Sequence, residues 1–324
     1  MRCATLAAAL ADSGHFATVR SGEIPDFVVR RLEHQRVSFT VIGEDRPLDE
    51  IPLPDADLVV IDGYGLGGIA ERLKSAGRRL AMIDDNGELP VELADVVVNQ
   101  NLHASEVDYS RVRGVVLAGA DFALVRSEVV GLSVQSRRQP PLDVLVAVGG
   151  TDPIGLTLPL VRKIQDLDPA VIADIHVAVP AHHADTSMLL KTIDEFRRVR
   201  QADASLTESL AVVGLAVIGA GSTMWEVATL GIPAIVAVVA ENQIAGAAVA
   251  ARLGLVEAVD ARPSVVDKLS ASVEIARVVG EISRSAERRQ LIASAGRGHF
   301  DGQGVARVVD QLVIVAGASG QTIS

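Results

Sequence analysis

Aromatic side chains are scarce in this chain, at 3% of 324 residues against 49% hydrophobic residues overall. A core must therefore come from Ala, Val, Leu and Ile, the aliphatic composition that repeated strand and helix units require. Cysteine is scarcer still. The single Cys3 excludes an internal disulfide and a multi-cysteine metal site, and fits a reducing cytoplasm. Positive charge is in deficit, since 30 Lys and Arg against 41 Asp and Glu leave a net charge of −11. That balance argues against a nucleic-acid partner, whose affinity would come largely from neutralised phosphates. No apolar run reaches the length of a membrane span. Met1 to Ala11 lacks the basic region, long apolar core and cleavage site of a signal peptide, and reads as a helix docked on an N-terminal domain. His182-His183 has no Cys partner and no Glu at ligand spacing, so it reads as a solvated loop, and neither a metal nor a cofactor is expected. Oligomeric state is not legible.

What is present is a strand, a glycine turn, a helix and a second strand over Leu215 to Gln243, LAVIGAGSTMWEVATLGIPAIVAVVAENQ. Ala216 to Ile218 fits a buried parallel strand, and Gly219 and Gly221 let the backbone approach a ligand with no Cβ in the way. Ser222 and Thr223 open the helix, where hydroxyls and the positive end of the helix dipole favour a diphosphate. Glu226 completes a Thr-x-x-Glu capping box with Thr223, or accepts hydrogen bonds from the hydroxyls of a ribose; spacing leaves both open. Asn242 and Gln243 follow the second strand, as phosphate or sugar ligands or as caps of a helix over Ile244 to Leu253. A second turn, Gly149-Gly150-Thr151-Asp152, follows the apolar run Val144 to Val148 and leads to a helix over Leu156 to Ile164. Neither turn fits Gly-x-Gly-x-x-Gly or the P-loop, which disfavours hydride transfer and ATP hydrolysis.

The order of elements supports an α/β fold of two doubly wound, Rossmann-like domains facing across a cleft. Strands are expected at Leu58 to Ile61, Leu80 to Ile83 and Val96 to Val98, with a helix at Gly68 to Ala76. Further on, strands are expected at Val144 to Val148, Ile175 to Val179, Leu215 to Ile218 and Ala234 to Val238. The domains run over 1–134 and 141–315, with a polar, Pro140-Pro141-ended linker at 131–142 and a loose tail at 316–324. Asp62 and Tyr64, just past an apolar strand, are the candidate catalytic groups, contacting sugar or water. Asp84 and Asp85 also end a strand, where adjacent acids commonly cap the next loop.

Taken together, GGTDPIGLT (Gly149 to Thr157), GAGSTMWE (Gly219 to Glu226), LGIPAIV (Leu230 to Val236) and AENQ (Ala240 to Gln243) resemble the UDP-sugar hydrolases of pseudaminic acid synthesis. These are relatives of the MurG-type glycosyltransferases with the GT-B fold. The likeness extends to Ile61-Asp62-Gly63-Tyr64, Ile83-Asp84-Asp85, Val98-Asn99-Gln100-Asn101, Leu117 to Arg126, and Phe300-Asp301-Gly302-Gln303-Gly304. It implies a UDP-sugar substrate, UDP-2,4-diacetamido-2,4,6-trideoxy-β-L-altropyranose in that family, and a UDP site mainly in the C-terminal domain. Water would attack the anomeric carbon. Ala220 replaces a glycine common in the family. The family also begins with a strand and a Gly-x-Gly-His-x-Met-Arg-Cys loop whose His is thought to activate water, whereas this sequence begins at Met1-Arg2-Cys3. On that comparison Met1 reads as an internal methionine, with an apolar strand and a His-ended glycine turn expected in frame upstream. The alternatives are a GT-B glycosyltransferase using a UDP-sugar donor, and a non-catalytic nucleotide-sugar-binding protein.

Overall fold

The structure, a computed structural model, describes residues 1–43, 47–63, 65–132, 134, 139–150, 152–179 and 186–317. Tyr64, Thr151 and His182-His183 lie outside the described residues. The chain forms two compact units, Met1–Ser127 with Gly302–Ser324, and Glu128–Asp301.

The first unit runs α1 (Arg2–Asp12), β1 (Thr18–Ser21), α2 (Asp26–His34), β2 (Ser38–Val41), β3 (Leu58–Asp62), α3 (Gly67–Ser75), β4 (Arg79–Ile83), β5 (Val96–Asn99) and β6 (Val115–Ala118). α4 (Ser127–Val130) crosses the boundary. The second unit continues β7 (Leu142–Ala147), α5 (Thr157–Gln165), β8 (Ile172–Val177), α6 (Thr186–Glu195), β9 (Val199–Gln201), α7 (Thr207–Val212), β10 (Leu215–Gly219) and α8 (Thr223–Leu230). It closes with β11 (Ala234–Val238), α9 (Ile244–Arg252), β12 (Glu257–Asp260), α10 (Lys268–Arg284) and α11 (Ala286–His299); α12 (Gly304–Gly317) returns to the first unit.

Apolar runs without polar alternation are the mark of strands covered on both faces, and the first unit shows it. Ala81, Ile83, Val96 and Val98 pack under α1 and α12. Leu80, Met82 and Val97 point the other way, against Ala70 and Leu73 of α3. The strands β3, β4, β5 and β6 form one parallel sheet, and β1 and β2 a separate parallel pair. Helix α12 contributes Val308, Val309 and Leu312 to the core under which Leu6 also packs. Its first residue must be glycine, because a Cβ on Gly304 would stand 2.3 Å from the Ala123 carbonyl oxygen. Residues 304–315, expected in the C-terminal domain, thus belong with the first unit. An amphipathic helix shows that it packs, not on which sheet.

In the second unit six parallel strands take the order β12-β11-β10-β7-β8-β9. Val144, Val146, Leu215 and Val217 bury one face against Leu160, Val161 and Ile164 of α5 and Ile275, Val279 and Ile282 of α10. Each such fully buried side chain contributes about 1.5–3 kcal/mol before entropy is counted. Asp267 caps α10 by accepting from the Leu269 and Ser270 amides at 3.0 Å, and α8 stops at Gly231, whose φ of 65° is left-handed. Among the described residues no helix is long and apolar enough to cross a membrane.

Candidate functional site

Parallel strands deliver their following loops to one edge, and strand order decides which loops meet. In the second unit the chain builds outward from β7 to β8 and β9, then crosses over to build β10, β11 and β12 on the other side. Strands β7 and β10 are therefore neighbours where the winding reverses, and they carry the two glycine turns. Ala147 pairs with Ile218 and Gly219 with Ala237, so the loops after β7, β10 and β11 leave the sheet side by side.

The glycines there act differently. A Cβ on Gly219 would meet the Val148 carbonyl oxygen at 2.7 Å, so this glycine lets two strand ends close on each other. Gly149 has φ +125°, a conformation that L side chains rarely adopt. At Gly150 and Gly221 a Cβ would find nothing within 4 Å, so these two backbones border open space. The Gly221 amide donates to the Gly219 carbonyl at 2.8 Å and the Met224 amide to the Gly221 carbonyl at 3.0 Å, which turns the chain directly into α8. Ser222 is the N-cap of α8, and its side chain makes no capping bond. The positive end of the helix is thus presented to an anion. With Ser222 as N-cap, Glu226 is the fourth helical residue, one beyond the position a capping box uses, so the box expected from Thr223 and Glu226 is not in register. Glu226 is buried in the first turn. Below it, Trp225 stacks on Phe300 with ring centroids 5.1 Å apart and fixes the helix.

Two other expected contacts, Asp152 and Gln243, also brace the loops. Asp152 is 1% exposed, and its carboxylate accepts from the Leu156 and Thr157 amides at 2.9 and 2.8 Å. It shapes the glycine loop and starts α5. Gln243 folds back so that its Oε1 accepts from the Val239 amide at 2.8 Å, bracing the loop after β11. Neither it nor Asn242 caps α9 through a side-chain bond to the helix start. Asn242 is exposed beside Gln243.

In the first unit Asp62 ends β3, as expected, but it is not a free carboxylate. Arg2, from the first turn of α1, donates Nη2 to Asp62 Oδ1 at 2.5 Å and Nε to Oδ2 at 3.2 Å. The same guanidinium donates Nη1 to both oxygens of Asp85, at 2.6 and 2.8 Å. Burial works against the charge on Arg2, but Asp62 and then Asp85 outweigh it and raise its pKa above that of an ordinary arginine. Cys3 lies 3.9 Å from Asp62, and burial, with that carboxylate beside it, pushes its thiol up to about 12, which disfavours the thiolate. Asp84 is a loop cap: it accepts from the amides of Gly87, Glu88 and Leu89 and from the Tyr109 hydroxyl. Burial and then Asp84 raise the Tyr109 pKa, so that hydroxyl stays a donor. Asn99 and Asn101 complete the network on Tyr109 and Asp85. Tyr109 carried no signal in the sequence, and Arg2 only its place in the Met-Arg-Cys match, because the partners of both are distant in the chain.

Back in the second unit, the loop ends of β8 and β9 hold a further polar group that the sequence reading did not single out. His176 Nδ1 lies 3.4 Å from the hydroxyl of the buried Ser209, whose amide donates to Asp203 at 3.1 Å. Burial lowers the His176 pKa. Among the described residues no group of three or more His, Cys, Asp or Glu is placed to hold a metal ion.

No family model matches the chain. Over 166 residues it is 24% identical to the UDP-2,4-diacetamido-2,4,6-trideoxy-beta-L-altropyranose hydrolase of Campylobacter jejuni, a match covering 44% of this chain and 60% of that protein. Among solved structures it is similar to S. aureus MnaA with UDP, at TM-score 0.69 and 13% identity, covering 100% of this chain and 95% of that one. The UDP-GlcNAc 2-epimerase of Neisseria meningitidis bound to UDP-GlcNAc follows at 0.65 and 11%, covering 97% and 96%. Acinetobacter baumannii MurG gives 0.59 and 16%, covering 97% and 95%. The fold is that of the GT-B proteins, with two Rossmann-like α/β units built on parallel sheets.

Proposed function

We propose that the chain processes a UDP-sugar, holding the diphosphate at the edge where the loops after β7, β10 and β11 emerge. One observation carries this reading: two glycine turns stand side by side at the winding reversal, and Gly150 and Gly221 border open space next to an uncapped helix start. Gly149, Gly150, Thr151, Gly221, Ser222 and Thr223 would receive the phosphates, Glu226 the ribose, and Asn242 the sugar side, with Asp152 and Gln243 holding the loops. The reaction we assign is hydrolysis, as the resemblance and the C. jejuni relative support, and the sugar a 2,4-diacetamido-2,4,6-trideoxyhexose destined for a nonulosonic acid such as pseudaminic acid. A water oxygen bonds to the anomeric carbon and releases a proton to the surrounding solvent. The bond from that carbon to the β-phosphate oxygen breaks, and its electron pair leaves on UDP. Backbone amides and the α8 dipole stabilise the charge that grows on the leaving group, which calls for no cofactor. The reading places the enzyme in the cytoplasm.

The Arg2 ion pair favours a second reading. Asp62, the expected catalytic carboxylate, is engaged by the Arg2 guanidinium rather than standing as a free base, so the chain would bind a nucleotide-sugar without turning it over. Incubation with UDP-sugars, with and without acceptor alcohols, decides by chromatography of the products. Free sugar and UDP without acceptor support the hydrolase. A glycoside formed only with acceptor makes the chain a transferase, and tight UDP binding with neither product makes it a binding protein.

A further inference from the structure

The carboxyl edge of the second sheet is short of positive charge. The segments that join each of its strands to the next helix are 148–156, 178–185, 202–206, 220–222, 239–243 and 261–267, and Arg262 is the one lysine or arginine in them. A diphosphate arriving there meets backbone amides and a helix start, not a row of cations. A carboxylate left unmasked nearby would work against it with little to offset the repulsion. Glu241 is such a group. It stands on the loop after β11, directly before Asn242, its side chain is 70% exposed, and β11 is the hydrogen-bonded neighbour of β10.

The same arginine reaches that carboxylate. Val238 of β11 pairs with Asp260 of β12, so the loops that follow the two strands leave the sheet as neighbours. From the second loop Arg262 donates Nη1 to both oxygens of Glu241, at 2.6 Å each. Its Nη2 and Nε donate to Oδ2 and Oδ1 of Asp260 at 2.7 and 3.0 Å. The Ser264 hydroxyl donates to Glu241 Oε1 at 3.4 Å. One planar guanidinium thus forks across two carboxylates, a geometry that a lysine ammonium does not reproduce. Asn242 stands between two fixed neighbours, Glu241 held by Arg262 and Gln243 held by the Val239 amide.

We propose that Arg262 is a positioning residue of the nucleotide-sugar site, acting through Glu241: it holds that carboxylate and masks its charge, so that an anionic diphosphate is admitted beside β10. The inference rests on the UDP-sugar reading above. Arg262, Glu241 and Asp260 together carry one positive and two negative charges; without the arginine only the two negative charges remain, and the more exposed carboxylate is the one next to Asn242. A unit charge about 10 Å from a doubly charged diphosphate weakens binding about fourfold in water, and by more where the protein lowers the dielectric. Salt removes the effect, because the Debye length falls to about 3 Å at 1 M.

Calorimetric titration of the full chain with UDP, in low salt and in about 1 M salt, tests it. Arg262→Gln should weaken UDP binding about threefold to tenfold in low salt, and the loss should fade in high salt. Adding Glu241→Gln to that variant should restore most of the affinity, although the fork is still absent. Glu241→Gln alone keeps the arginine and removes a negative charge, so it should tighten UDP binding in low salt; this arm holds even if Arg262→Gln fails to fold. An arginine that merely stapled the loop would give a double variant as weak as the single one and a loss indifferent to salt, and either result overturns the proposal. So does wild-type affinity in a folded Arg262→Gln chain, or UDP binding that Glu241→Gln weakens. A wild-type chain that takes no UDP is the distinct outcome that overturns the diphosphate site, and this role with it.

Discussion

Gly221→Val separates the folding role of a glycine from its ligand role. A Cβ at Gly221 meets nothing within 4 Å and its φ lies outside the left-handed region, so the fold offers no steric objection to a Cβ there. Losing glycine also narrows the unfolded ensemble, worth about 0.4–1 kcal/mol in favour of the variant. The thermal midpoint should therefore hold or rise slightly. In the ligand state the isopropyl group fills the space through which phosphate reaches the turn. Losing one hydrogen bond to a charged group costs about 1.5–3 kcal/mol, so UDP affinity should fall about 10- to 150-fold. Gly219→Ala is the contrast, since its methyl would stand 2.7 Å from the Val148 oxygen, and it should lower the midpoint whatever the ligand does. Calorimetric titration with UDP and thermal melts of both variants give the answer. Wild-type UDP affinity in a normally folded Gly221→Val protein would refute the placement of the diphosphate.

Glu226→Ala should leave the chain folded but weaken UDP binding by about 10- to 150-fold while leaving pyrophosphate binding unchanged, because only UDP carries a ribose; equal loss for both ligands in calorimetry would remove Glu226 from the nucleoside. Burial lowers the His176 pKa in the folded state, so the unfolded chain binds the proton first and acid destabilises the protein as pH falls through the ordinary histidine value near 6.5. His176→Gln should flatten that part of the stability curve in urea melts taken from pH 8 to 5, and an unchanged slope would assign it to other groups. Gly304→Ala drives a methyl against the Ala123 carbonyl at 2.3 Å and should cost about 1–3 kcal/mol, read as a fall of roughly 2–12 °C in the thermal midpoint.

How far the sequence discloses this molecule depends on where each element's information resides. The central strands were legible because β4, β5, β7, β10 and β11 are continuous apolar runs, and burial on both faces requires just that composition. Strands β2, β9 and β12 were not, since Ser38–Val41, Val199–Gln201 and Glu257–Asp260 are short edge strands whose pattern carries polar residues to solvent. The glycine turns after β7 and β10 were legible through their glycines, a local signal. The loop-capping role of Asp152 was not legible, because the local pattern fits a cap and a ligand contact alike and only the structure shows the two amides directed at its oxygens.

The first unit shows the limit more sharply. Asp62 was chosen because a carboxylate at the carboxyl end of a parallel strand commonly faces a ligand, and the structure does place it at that edge. Its chemistry is set instead by Arg2, sixty positions away in sequence, and by Asp85, which shares the same guanidinium. One cation between two carboxylates leaves the trio at a net charge of −1, so neither acid is neutralised alone and neither is free. Displacing Arg2 would leave both carboxylates without the cation they share. Whether this group acts as a base or only as a clip on α1 thus turns on the mobility of Arg2.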